Sequence, residues 1–348
     1  MNGSQGRTSQ ALVGTAAAIG LLYFLRPVLV PFVVAYVLSV LVTALVRFIK
    51  KRWAGAPFWA VSLAAGLVVI VTASTGIFIV AQGAAQIVSQ GPALLARLDE
   101  ILMDIGTSLH LEQPLHLSTV VGNVSVTQVA GFILAQLQGL LTGLLLMIVY
   151  FGFLLAGGKR IARKVTAAAG SSERAATVTH VVQQISANVQ TYIWVQTITG
   201  LMLTASAFIV MTAVGLNNVL FWTVLFFLLT FIPNIGITIG SIAPALFALI
   251  QFPTLWQGIT IFAVTQVVAT IVGNLIYPRM QAESQNIDPV VTLLSLAFWT
   301  LLWGLAGSFL AVPMTLIMMM IFAQFESTRW VAALLSNDGK PKFARSAQ

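Results

Sequence analysis

FIPNIGITIGSIAP, residues 231–244, interrupts an apolar run from Val219 to Ile250 with two prolines, an asparagine and two glycines four apart. A plain membrane anchor needs none of these residues. Inside hydrocarbon every backbone N–H and C=O must be paired within the protein. Pro233 removes one N–H and disrupts the turn before it. Gly236 lets the chain tilt or reverse without a side-chain clash. Gly236-Ile-Thr-Ile-Gly240 is also a GxxxG, the spacing that admits close approach of another helix. Two readings are open. In one, Pro233 kinks a single helix and the glycines pack it. In the other, 218–250 is a helical hairpin with its tip at Pro233-Asn234-Ile235-Gly236. Length favours the hairpin: one crossing takes about 20 residues, and this segment leaves about 15 for each arm. At such a tip Asn234 offers a donor and an acceptor to a polar solute.

The surrounding composition requires a membrane. Of 348 residues, 58% are hydrophobic and 7% charged, with a mean hydropathy of +0.96; a soluble domain carries about 25% charge. Eight apolar segments are candidate spans: 10–25, 28–48, 57–82, 137–156, 192–214, 218–250, 256–277 and 289–322. Arg7 followed by 11–25 has the flank-plus-core pattern of a signal peptide. The next apolar segment follows at once, however, and the pair reads as a retained hairpin turning at Arg26-Pro27. The net charge of +8 sits in short clusters: Arg47 to Arg52, Lys159 to Lys164, and Arg329 with the tail. Such clusters mark cytoplasmic loops and speak against a nucleic-acid partner. Both termini are expected inside.

The expected organisation is N-terminal helices (1–82), an extracytoplasmic amphipathic insertion (83–136), the fourth span with a cytoplasmic amphipathic helix (137–191), a C-terminal transport domain (192–325) and a cytoplasmic tail (326–348). In the insertion, Ile87, Leu94, Leu95, Leu98, Ile101, Leu102 and Ile105 form a helical stripe that covers neighbouring helices or the membrane surface. Within 171–193, Val178, Val181, Val182, Ile185, Val189 and Ile193 predict an interfacial helix leading into the fifth span. His180, in the same stretch, reads as an ordinary surface or packing residue.

Residues 289–322 repeat the interrupted pattern: Gly304, Gly307-Ser308 and Pro313 echo Gly236, Gly240-Ser241 and Pro244. Paired broken segments point to a transporter's binding site. Between Val178 and Phe325 the only Asp, Glu, Lys or Arg residues are Arg279, Glu283 and Asp288. They form either an exposed loop or a polar lining. Asp288, before Pro289, can also cap the next helix. Asn274 and Gln266 are candidates for buried polar positions, with interhelical hydrogen bonding as the alternative role.

Enzyme signatures are absent: there is no GxxxxGK[ST], HExxH or GxSxG. With no cysteine and three histidines, the sequence calls for no catalytic residues, metal or cofactor. Flux driven by an ion or proton gradient, or passive flux, remains.

Three stretches, FIPNIGITIGSIAPALFALI, NLIYPRMQAESQNIDPVVTLLSL and LLWGLAGSFLAVPM, together with the opening RPVLVPFVVAYVLSVLV, resemble the ordered motifs of the autoinducer-2 exporter (PerM-like permease) family. The matching positions include Pro233, Gly236, Pro244, Pro278, Pro289, Gly304, Gly307 and Pro313. The resemblance implies a multi-pass protein of the bacterial inner membrane, surrounded by lipid and forming a homopentamer, that moves a small molecule or ion.

The sequence therefore predicts an all-α polytopic membrane protein of about eight spans, with broken hairpins at 218–250 and 289–322. The expected path residues are Asn234, Asn274, Arg279, Glu283 and Asp288. The expected hinge residues are Pro233, Gly236, Gly240, Pro244, Gly304, Gly307 and Pro313. Secondary transport of a small solute is the leading function. Sodium/proton antiport and a non-transporting membrane scaffold are the alternatives.

Overall fold

Pro233 divides the 218–250 segment into two helices. In the computed structural model, which describes residues 2–53, 55, 57–108, 110, 143–155, 157, 164, 167, 171–233, 235–281 and 286–339, they are α7 (Val219–Thr230) and α8 (Ile235–Gln251). Before them come α1 (Asn2–Phe24), α2 (Arg26–Arg52), α3 (Phe58–Ser89), α4 (Gly91–Ser108), α5 (Gly143–Leu155) and α6 (Ser172–Val214). After them come α9 (Trp256–Ile271), a π turn (Val272–Ile276), α10 (Tyr277–Gln281), α11 (Pro289–Ala323) and α12 (Arg329–Leu335). Among the described residues the one piece of β pairing is an isolated antiparallel bridge, Ile287 to Ser336. The chain is all-α.

Among the described residues, five helical stretches are long and apolar enough to cross a membrane: Arg26–Lys51, Trp59–Ser89, Ala175–Val214, Trp256–Met280 and Pro289–Ala323. Four shorter apolar helices, Leu12–Phe24, Gly143–Leu155, Val219–Thr230 and Ile235–Gln251, fall within the other expected spans. At 1.5 Å per residue α7 and α8 are about 18 and 26 Å long, each short of the ~30 Å hydrocarbon core.

One expectation about the helices changes. Arg26-Pro27 does not reverse the chain. Only Leu25 (φ −84°, ψ 4°) separates α1 from α2, and Leu25 N–H still donates to Leu21 O while Leu29 N–H donates to Leu25 O. The junction is a kink, because a proline in the first turn of a helix is compatible with continuing it. The stretch 171–193 leads into the fifth span, as expected, and does so as one helix, the 43-residue α6. Its stripe is covered at Ile185, Val189 and Ile193 and left exposed at Val178 and Val182. His180 is exposed, so of its two ordinary roles it has the surface one.

The chain divides into two compact units. The first comprises 1–69, 142–194 and 283–348. In it Tyr36 and Ser186 share a hydroxyl hydrogen bond of 3.1 Å, Arg47 donates to Gln190 Oε1 at 2.6 Å, and Phe32 meets Tyr150 edge-on.

The second unit comprises 70–141 and 195–282. Its core brings Leu203, Ala207 and Met211 of α6 together with Phe221, Trp222 and Phe226 of α7 and Phe247 and Ala248 of α8. Ile87 at the end of α3 and Leu94 of α4 pack on this cluster, so at these two positions the stripe covers neighbouring helices. Arg97 and Glu100 of α4 form an ion pair on the same helix. The insertion beyond Ser108 lies outside the described residues except for His110.

Candidate transport site

The break between α7 and α8 is built from sequence outward. Approaching Pro233, the helix tightens: Phe231 N–H donates to Leu228 O at 3.2 Å and Ile232 N–H to Leu229 O at 2.9 Å. Gly236 N–H then donates to Ile232 O at 3.0 Å as α8 begins. The arms fold back on each other closely enough to require glycine. A Cβ on Gly236 would overlap the Leu229 carbonyl oxygen and lie 2.7 Å from the Leu229 carbonyl carbon. A Cβ on Gly240 would overlap the ring of Phe226, which is wholly buried. The 218–250 segment is a hairpin, and its GxxxG is the seam between the arms. Pro244 is buried farther along α8.

A broken helix leaves carbonyls without their intrahelical donors. Here α6 supplies one: Gln196, buried, donates Nε2–H to Thr230 O at 2.6 Å. The Thr230 hydroxyl donates to Phe227 O at 2.7 Å. On the other arm, Gln266 of α9 donates Nε2–H to Ser241 Oγ at 3.1 Å, and that buried hydroxyl donates to Thr238 O at 3.0 Å. The hairpin is thus flanked by amide and hydroxyl groups in an apolar unit. Gln266 takes the interhelical role foreseen for it. Gln196 went unnoticed, although a glutamine inside the apolar 192–214 segment was its signal.

Asn274 is not buried. It lies exposed in the π turn, where Tyr277 N–H reaches back five residues to Val272 O. The extra residue of a π turn rotates the following side chains relative to an unbroken α-helix, so a face counted at α-helical spacing does not predict its direction. Arg279 is exposed on α10. Asn234 and Glu283 lie outside the described residues.

Asp288 belongs to the first unit and caps α11. Its Oδ1 accepts from Val290 N at 2.7 Å and Val291 N at 3.3 Å. Its own N–H donates to Leu335 O, and Asn337 N–H donates to Asn286 O. The start of α11 is therefore paired with the segment after α12.

The second broken segment is a single helical run with a non-helical residue inside it, Gly304 (φ 62°, ψ −143°). This backbone region is essentially closed to residues with a Cβ. A Cβ on Gly307 would overlap the Trp299 carbonyl oxygen and sit 3.1 Å from Trp303 Cβ. In a straight helix, residues eight apart are separated by about 12 Å, so the chain folds back sharply here too. The contact matches that of Gly236, which meets Leu229 O and has Ile232 Cβ at 3.1 Å. Gly307 is therefore the counterpart of Gly236 and Gly304 that of Pro233, a register three residues from the one expected by sequence. The two breaks start differently, one at a proline and one at a left-handed glycine, and both close by seating a glycine on a carbonyl. Pro313 is buried in the second arm.

The model of the AI-2E family transporter matches residues 12–327. The chain belongs to the AI-2E transporter family. Over 330 residues it is 26% identical to the AI-2 transport protein TqsA of Escherichia coli K12, covering 91% of this chain and 92% of that protein. Over 341 residues it is 24% identical to a Haemophilus influenzae protein named "Putative transport protein", covering 94% and 96%. YhhT of E. coli K12 is 34% identical over 128 residues, 37% of this chain and 36% of that one. This AI-2E family member is a multi-pass membrane transporter.

Proposed function

We propose that this transporter moves a small polar solute across the cytoplasmic membrane by gradient-driven transport, as an exporter of the autoinducer-2 type. The α7–α8 hairpin is its solute-contacting element. The reading rests on one observation: a pair of helices too short to span is broken at Pro233 and flanked by the buried amide and hydroxyl groups of Gln196, Thr230 and Ser241 and by the half-buried amide of Gln266. Irregular backbone at membrane depth is tolerated where protein buries it or water reaches it. A hairpin that alternates between those conditions exposes these groups to solute in turn. The name of TqsA supports autoinducer-2 as the solute to test first. Asn234, Asn274 and Arg279, in the same unit as the hairpin, contribute polar contacts in this reading. The basic clusters support cytoplasmic termini, and the family resemblance supports the inner membrane as the location.

The absence of cysteine makes the test direct. Single cysteines at Asn234, Ser241 and Asn274 are exposed to a membrane-impermeant thiol reagent from each face in turn, with and without an imposed sodium or pH gradient. Labelling at Ser241 that changes with the gradient, together with autoinducer-2 flux in vesicles, is the expected result. A Ser241 that stays unlabelled from both faces under every gradient, in folded protein, overturns it.

A further inference from the structure

The second hairpin is held at its tip. Trp303, immediately before Gly304, donates its indole Nε1–H to the carbonyl oxygen of Leu22 at 3.0 Å. That carbonyl lies in the last turn of α1, which ends at Phe24; the run of helical bonds stops with Leu25 N–H to Leu21 O and resumes with Leu29 N–H to Leu25 O. A freed carbonyl in apolar surroundings needs a donor, and the indole supplies one. Leu22 is also where α1 meets the rest of its unit. Among the α1 side chains described, at 10 and 12–24, Leu22 alone is not exposed. The donor is held firmly: Trp303 is 6% exposed and tilts against Trp299 at 4.9 Å, and Trp299 is 2% exposed. The same Trp299 supplies the carbonyl on which Gly307 sits. One aromatic pair therefore lies against both the fold-back and the α1–α2 kink.

We propose that Trp303 is a positioning residue that latches the tip of the second hairpin to the α1–α2 kink, so that opening of this hairpin requires release of the Leu22 carbonyl. An interhelical hydrogen bond in a membrane shifts an equilibrium by roughly three-fold on average and by up to about twenty-fold. The bond is thus weak enough to break in each cycle and strong enough to set a resting population.

The test uses the full-length protein with one reporter cysteine, Leu305→Cys, next to Gly304. Three residues are compared at 303: tryptophan, phenylalanine, and benzothienylalanine, which keeps the indole shape but has sulfur in place of the N–H. Maleimide labelling of the reporter is timed in vesicles, and size-exclusion profiles establish that each protein is folded. Labelling at least three-fold faster with both phenylalanine and benzothienylalanine is the expected result. A change with phenylalanine alone means that ring packing, not the hydrogen bond, positions the tip, and overturns the latch. Unchanged labelling in both also overturns it. The readout needs no substrate, so it is decided independently of what the protein carries.

Discussion

Gly236→Ala is the most direct test of the hairpin. The added methyl would overlap the carbonyl oxygen of Leu229 and lie 2.7 Å from its carbon and 3.1 Å from Ile232 Cβ. Two of those atoms are backbone, so no rotamer change relieves the clash. The arms must part by roughly 1–1.5 Å to restore van der Waals distance, and gaps of that order forfeit a quarter to a half or more of each contact they open. The same parting lifts Gly240 from Phe226. Overpacking costs about 1–3 kcal/mol, and the rigidity of a backbone carbonyl places this site near the top of that range. Against it stands the ~0.5–1 kcal/mol that alanine gains over glycine in a helix. A net cost of about 2 kcal/mol shifts the closed-to-open ratio roughly 30-fold. The assay is thermal unfolding in detergent, paired with thiol labelling of Ser241→Cys in the same background. The alanine variant should melt several degrees lower and label faster at Ser241. Gly152→Ala, where a Cβ meets nothing within 4 Å, should be neutral or slightly stabilising. If Gly236→Ala and Gly152→Ala behave alike in both assays, the arms do not close on that glycine and the reasoning fails.

Gln196→Leu should destabilise by about 1–3 kcal/mol, because it strands the Thr230 carbonyl in an apolar interior; denaturant-monitored unfolding reads it. A drop at the bottom of that range would mean that water replaces the amide. Gly304→Ala should cost on the order of 1–3 kcal/mol through its backbone conformation alone, since a Cβ there meets nothing within 4 Å. Size-exclusion and melting profiles test this, and wild-type behaviour would mean that the fold-back survives without a left-handed residue. Asp288→Ala should cost about 1 kcal/mol by removing the cap of α11, whereas Asp288→Ser should restore most of it. Melting temperatures of the pair check that the carboxylate acts locally on the helix end.

The features legible in the sequence were those carried by residues with a fixed local cost. Pro233 cannot continue a helix, Gly236 and Gly240 permit close approach, and Asp288 before Pro289 is a cap in any setting. The 218–250 hairpin and the cap of α11 followed. What escaped was set by partners distant in sequence or by small changes of helical phase. Gln196 and Thr230 are joined only once α6 and α7 lie together. The exposure of Asn274 depends on one extra residue in the π turn, which has no local signature. At the α1–α2 junction a proline alone suggests a breaker, whereas its place in the first turn of α2 lets the chain bend and go on. The register between the two breaks was misjudged by matching letters: glycine does different work at 304, where it sets φ, and at 307, where it makes room.

The pairing of 286–288 with 335–337 gives the second hairpin a mechanical property. It ties the chain just ahead of the first arm to the chain just beyond α12, closing some fifty residues into a ring. Tension applied at the C-terminus therefore meets the Ile287–Ser336 bridge and the Asn337–Asn286 bond before it reaches α11. A pull there spends itself first on a short zipper of backbone hydrogen bonds, and the hairpin bears no load until the zipper has parted.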